Sequence, residues 1–197
     1  MSFTDPTEPV PTELRAAEFA VRPITPDDAE RDYAAVMESR AELRLWEQSD
    51  WPADDFTVDD NRSDLVDLQS RHDAHRAFTY TVVDPAGAES LGCVYVFPTA
   101  ATFLARSAVT PVADDAWKDV DAVVYFWVRR SRIEDRLDER LLAALRAWFA
   151  GEWGFARTVF ATSERFDQQV ALLGATDLAL RFELREPDKP GTYLVYG

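Results

Sequence analysis

An apolar, β-prone run, Val120 to Val128, leads directly into an amphipathic helix, and this junction constrains the fold most. Ile133, Leu137, Leu141, Leu142, Leu145, Trp148 and Phe149 recur at a 3.6-residue period, so that helix has one broad apolar face. A strand without polar alternation is buried on both faces, and its helix covers one of them. Alternation places Asp121, Val123, Tyr125 and Trp127 on one side and Ala122, Val124, Phe126 and Val128 on the other.

The remaining elements order themselves around this junction. Phe19 to Ile24 reads as a strand, and Thr25-Pro26-Asp27-Asp28 opens a helix with a hydroxyl cap, a proline and an acid three residues on. Tyr33, Val36 and Met37 supply its apolar face, and a second helical piece covers Ser39 to Glu47. Thr57-Val58-Asp59-Asp60 repeats the capping pattern before a helix with Val58, Leu65 and Leu68. Phe78 to Val83 and Leu91 to Phe97 make a hairpin about the Asp84-Pro85-Ala86-Gly87 turn. Pro98 to Asp119 has no clear period and reads as a long loop with some local structure. Strand 158–162, helix 166–173, strand 178–184 and strand 192–196 complete the chain. Strands interleaved with helices predict an α/β sheet with helices on both faces.

Composition limits the partners. There are 21 basic and 36 acidic residues, a net charge of −15, so a phosphate backbone is repelled and nucleic acid is not expected. One cysteine cannot form an internal disulfide and suits the cytoplasm. Neither a signal peptide nor a run of the ~20 apolar residues needed for a membrane span is apparent. Residues 1–18, acidic and proline-dotted, read as a flexible arm ahead of a single domain over 19–197.

A resemblance is carried by Val21-Arg-Pro-Ile-Thr-Pro-Asp-Asp-Ala-Glu30, by Leu91-Gly-Cys-Val-Tyr-Val-Phe97, and by Phe126-Trp-Val128 leading into the leucine-rich helix. From Phe19 onward the chain resembles the GNAT superfamily of N-acetyltransferases, in the branch of the ribosomal-protein acetyltransferases. The resemblance implies a mixed, mostly antiparallel central sheet with helices on both faces and a central strand splayed from its neighbour. It implies acetyl-CoA lying in that gap, its pantetheine arm on the backbone of Tyr125, Phe126, Trp127 and Val128. The implied activity is transfer of an acetyl group to a primary amine, on a small molecule or a protein N-terminus, and a homodimer is expected. The alternative is a non-catalytic protein of this fold that binds a ligand or partner protein without coenzyme A.

The family holds the pyrophosphate in a turn written Arg/Gln-x-x-Gly-x-Gly/Ala. Here Ile133 falls at the first position, Arg136 at the first glycine and Asp138 at the last, and there is no glycine between Gly92 and Gly151. Glu134 and Asp135 stand where helix N–H groups point, and each stabilises that terminus by ~0.3–1 kcal/mol in place of a phosphate. The arginines of the segment, Arg130 and Arg136 among them, suit phosphate but equally pair with adjacent acids. Implied cofactor contacts are Phe126, Trp127, Val128, Arg130, Arg136, Leu137, Ser163 and Gln169. The position of a frequent tyrosine acid is Leu173, which cannot give a proton.

Tyr125 and Asp121 are the catalytic candidates, Tyr125 facing the acyl site and Asp121 as amine base; core packing and a loop acid are the bland readings. Cys93 reads as a small buried apolar residue, and His72 and His75, an incomplete metal pair, as solvated. Trp46, Trp51 and Phe56 form either a pocket wall or a plug over the core.

Overall fold

The structure, a computed structural model, describes residues 2–197. A nine-stranded sheet runs through it. Its strands are β1 (Leu14–Arg15), β2 (Ala20–Pro23), β3 (Phe78–Val83), β4 (Ser90–Phe97), β5 (Ala108–Pro111), β6 (Ala122–Val128), β7 (Thr158–Ser163), β8 (Leu180–Arg185) and β9 (Tyr193–Tyr196). Their order is β1-β2-β3-β4-β6-β7-β9-β8-β5, antiparallel throughout except for the parallel pair β6–β7.

The helices divide between the faces according to the parity of β6. Val123, Tyr125 and Trp127 pack with α1 (Ala29–Glu38), α2 (Arg40–Glu47), α3 (Val58–Asp73) and α4 (Thr102–Arg106). Ala122, Val124, Phe126 and Val128 pack with α5 (Leu137–Gly151) and α6 (Asp167–Gly174). All seven residues of β6 are buried. The expected mixed sheet, covered on both faces, is thus present. So are the caps: Thr25 with Asp28 and Thr57 with Asp60 form reciprocal capping boxes.

Two expectations need correcting. The local structure expected within 98–119 is α4 and β5, but β5 is no loop feature: it pairs with β8 and forms the sheet edge. Its exposed, weakly patterned residues hide it from periodicity. The segment read as a flexible arm has definite contacts. Phe3 packs on Phe78 and Phe155, the Tyr80 hydroxyl donates to the Pro11 carbonyl, and β1 pairs with β2. Acid and proline content masked one anchoring aromatic and a two-residue strand. No helix among the described residues is long and apolar enough to cross a membrane.

Candidate functional site

β6 and β7 pair only at their start, Ala122–Val124 against Thr158–Phe160, and then separate. Tyr125 to Val128 lie beyond the last pair, so the central strand splays as the resemblance implies. On its other edge β6 stays paired with β4 up to Gly92. Gly92 has φ +156°, and a Cβ there would sit 2.2 Å from the Trp127 carbonyl oxygen, so only glycine admits this close approach.

The free edge of β6 is already engaged. Gln169, buried on α6, donates Nε2 to the Phe126 carbonyl at 2.9 Å. The preceding residue, Gln168, donates to the Asp138 carboxylate at 2.5 Å. Asp138 is buried in the first turn of α5, accepts the Glu139 backbone N–H, and has its pKa raised by burial. The terminus that would receive a phosphate therefore holds the protein's own carboxylate.

The turn between β6 and α5 keeps an unusual path without its glycine. Arg136 takes φ 58° and ψ 34°, a left-handed conformation that costs an L-residue ~1–2 kcal/mol. Its guanidinium pairs with Glu139, that of Arg130 with Glu42 at 3.3 Å, and that of Arg132 with Glu89 at 2.6 Å. Arg129 pairs with Glu38, whose carboxyl it holds down at about 2. The backbone N–H groups of Arg130 and Ser131 donate to Ser39 Oγ at 2.9 Å and Glu38 Oε1 at 3.0 Å. Every one of these arginines is matched to an acid, and two N–H groups of the turn are taken by the α1–α2 corner. Arg136, Asp138, Glu139 and Gln168 border a cavity of about 570 Å³ between α5 and α6, in which Asp138 and Glu139 place negative charge beside the arginine.

The other implied contacts scatter. Leu137 and Val128 are buried in the α5-side core, and Trp127 donates Nε1 to Tyr95 Oη at 3.4 Å on the opposite face. Ser163 is buried at the end of β7, its Oγ accepting the Arg165 N–H at 3.1 Å. Leu173 is core. Asp121 is exposed and accepts the Arg157 backbone N–H at 2.8 Å, a brace at the closed end of the splay. The structure does not bring it beside Tyr125.

Tyr125 itself lines a cavity of about 410 Å³ on the face opposite α5 and α6. Its ring meets Trp46, Phe97, Phe103 and Tyr193, and its hydroxyl is buried without a partner. Burial pushes the phenol pKa well above its ordinary value. Trp51 stands in the wall and Phe56 packs behind it, so the tryptophans form a pocket wall and Phe56 supports it.

Glu47 and Glu186 line the same cavity. Glu47 is paired with Lys189 at 2.5 Å. Glu186 has no salt-bridge partner among the described residues, and burial raises its pKa to about 7. Glu186, which follows the last residue of an edge-proximal strand, carries no signal in the sequence. Aromatic walls with a free carboxylate suit an organic cation, through cation–π contact and charge.

The histidines are not solvated as a pair. His72 is buried edge-on to Phe78 and Tyr80, and His75 Nδ1 bonds Thr4 Oγ1 at 2.7 Å. Among the described residues no group of three or more His, Cys, Asp or Glu could hold a metal ion. Cys93 is buried and its thiol pKa is raised by burial, as a packed apolar residue requires.

No family model and no curated protein matches the sequence. Solved structures do match the fold. A ribosomal-protein-S5-alanine acetyltransferase from Vibrio fischeri aligns with a TM-score of 0.68 at 18% identity, over 94% of this chain and 95% of that one. A ribosomal-protein-serine acetyltransferase assignment from Vibrio cholerae aligns at 0.70 and 13% identity, over 93% and 95%. The RimL ribosomal L7/L12 α-N-protein acetyltransferase, in complex with coenzyme A, aligns at 0.67 and 15% identity, over 96% of each chain. At these identities the likeness establishes the N-acetyltransferase fold, from one end of the sheet to the other.

Proposed function

We propose that this protein binds a ligand through an amine, on a small molecule or a protein N-terminus, in the aromatic and acidic pocket at Tyr125, and does so without coenzyme A. One observation carries the reading. The two places where the fold receives its cofactor, the free edge of the central strand and the first turn of α5, are joined instead by Gln169 to Phe126 and by Gln168 to Asp138. The amine pocket lies on the other face of the sheet.

Acetyl transfer from acetyl-CoA to the same amine is the second reading. The splay of β6 from β7 and the left-handed turn at Arg136 favour it, as do the activities named for the structural neighbours. In that reading Phe126, Trp127, Val128, Arg130, Arg136, Leu137, Ser163 and Gln169 are the cofactor's surroundings, and Tyr125 and Asp121 the groups nearest in role to the amine.

Calorimetric titration with coenzyme A and acetyl-CoA separates the two. Absence of heat at millimolar nucleotide, with measurable binding of alkylammonium ions, is the expected result. Micromolar binding of acetyl-CoA, lost in Arg130→Glu or Arg136→Glu, would overturn it in favour of acetyl transfer.

A further inference from the structure

Charge is not spread evenly around the aromatic pocket. Besides its tyrosines, the lining holds Glu47, Glu186 and Arg71 as ionisable groups. Glu47 is matched by Lys189. That leaves one acid, Glu186, just past the end of β8, and one base, Arg71, in the last turn of α3. Among the described residues these two do not pair with each other, and the cation whose field reaches Glu186 is Lys189.

Arg71 is lightly held. Its one side-chain hydrogen bond among the described residues runs from Nη2 to Asp67, a turn earlier on the same helix. Both side chains of that pair are open to solvent, at 43% and 58%, and an exposed pair at this spacing contributes about 0.3–0.5 kcal/mol. Asp64 lies within the field of Arg71 but takes its own hydrogen bond from Trp51. Nε and Nη1 of Arg71 have no protein acceptor, and a guanidinium is the side chain best shaped to receive a carboxylate.

The acid and the base belong to opposite ends of the pocket. α3 packs over β3, so Arg71 stands on the β4 side, whereas Glu186 continues β8 beside β9. Between them Tyr95, Tyr125 and Tyr193 line the cavity from β4, β6 and β9. The order β4-β6-β7-β9 puts three strand spacings of ~4.8 Å across this floor, about 14 Å before the reach of the two side chains is subtracted. An apolar floor with opposite charges at its ends complements a ligand charged in the same way.

The geometry points to an ω-amino carboxylate as the ligand, its ammonium group at Glu186, its methylene chain over Tyr125 and its carboxylate at Arg71. This rests on the amine-binding reading above and adds to it an anionic group and the cation that selects it. Of the two classes of amine, it selects the small molecule.

The test is calorimetric titration of the full chain at pH ~8, where the amines stay protonated, with a series of ω-amino carboxylates beside n-alkylamines of equal chain length. The amino carboxylate of best length should bind on the order of tenfold tighter than its alkylamine, the advantage of one added charge pair. Arg71→Gln should bring it down to the alkylamine. Asp67→Asn, which frees Arg71 from its exposed partner without touching the core, should tighten it about twofold. Alkylamines that bind as tightly as the amino carboxylates, or an advantage that survives Arg71→Gln, overturn the carboxylate site while amine binding stands. Failure of both series to bind overturns the amine reading as well.

Discussion

Asp32→Asn should stabilise the protein at neutral pH, and the gain should vanish in acid. Burial raises the Asp32 carboxyl from 3.8 to about 6, so the folded state holds its proton over a range in which the unfolded chain has released it. A group shifted in this direction contributes stability below the unfolded value and loses it as pH rises through the folded one. The shift of about 2 units, at ~1.4 kcal/mol per unit, makes the ionised side chain cost about 3 kcal/mol at pH ~7. Asparagine keeps the shape and can still accept from Asn61 Nδ2, as Asp32 Oδ2 does, but never ionises. Urea denaturation of both proteins from pH ~4 to ~8 measures the difference directly, since titrations common to both cancel. The variant should exceed the wild type by about 0.5 kcal/mol near pH ~4 and by about 3 kcal/mol near pH ~7. A difference that stays flat across this range would refute the reasoning, because it would mean Asp32 is not an unpaired buried acid.

Other outcomes follow from single positions. Gly92→Ala places a Cβ against the backbone of β6 rather than against a movable side chain, and should lower stability by roughly 2–4 kcal/mol, read from the denaturation midpoint. Arg136→Gly relieves a left-handed arginine and loses only an exposed ion pair, so it should be neutral or stabilising by up to ~1 kcal/mol in the same assay. Glu186, raised to about 7 by burial with Lys189 opposing and Glu47 and Asp188 reinforcing, should make alkylammonium affinity fall as pH drops below ~7. Glu186→Gln should flatten that profile, which titration calorimetry at several pH values would show.

How much of this the sequence disclosed depends on the kind of signal each element carries. The parity of β6, the capping boxes at Thr25 and Thr57 and the long stripe of α5 all follow period or pairing rules written in consecutive residues, and the structure repeats them. β5 and β1 were hidden because an edge strand of two or four residues needs no apolar alternation. The acid in the first turn of α5, Asp138, and the lack of glycine before it were legible directly. The hydrogen bond from Gln169 to Phe126 was not, because a glutamine on a helix gives no indication of which strand carbonyl it reaches. Asp32 did carry a signal. It falls on the stripe of Ala29, Ala35 and Val36, where an acid on the buried face of a helix calls for an explanation. Glu186 carried none, since its pKa depends on Glu47 and Lys189, brought near only by the fold.

The corner between α1 and α2 has a mechanical meaning beyond its ion pairs. Glu38 and Ser39 grip the amides of Ser131 and Arg130, while Trp46 and Glu47, at the far end of the same short helix α2, form one side of the ligand pocket. Eight residues of helix on one face of the sheet thus run from the turn that follows β6 to the wall of the pocket. A ligand that tightens the pocket end will also tighten the grip on the turn, and slower deuterium uptake at Arg130 and Ser131 will report an occupant that never touches them.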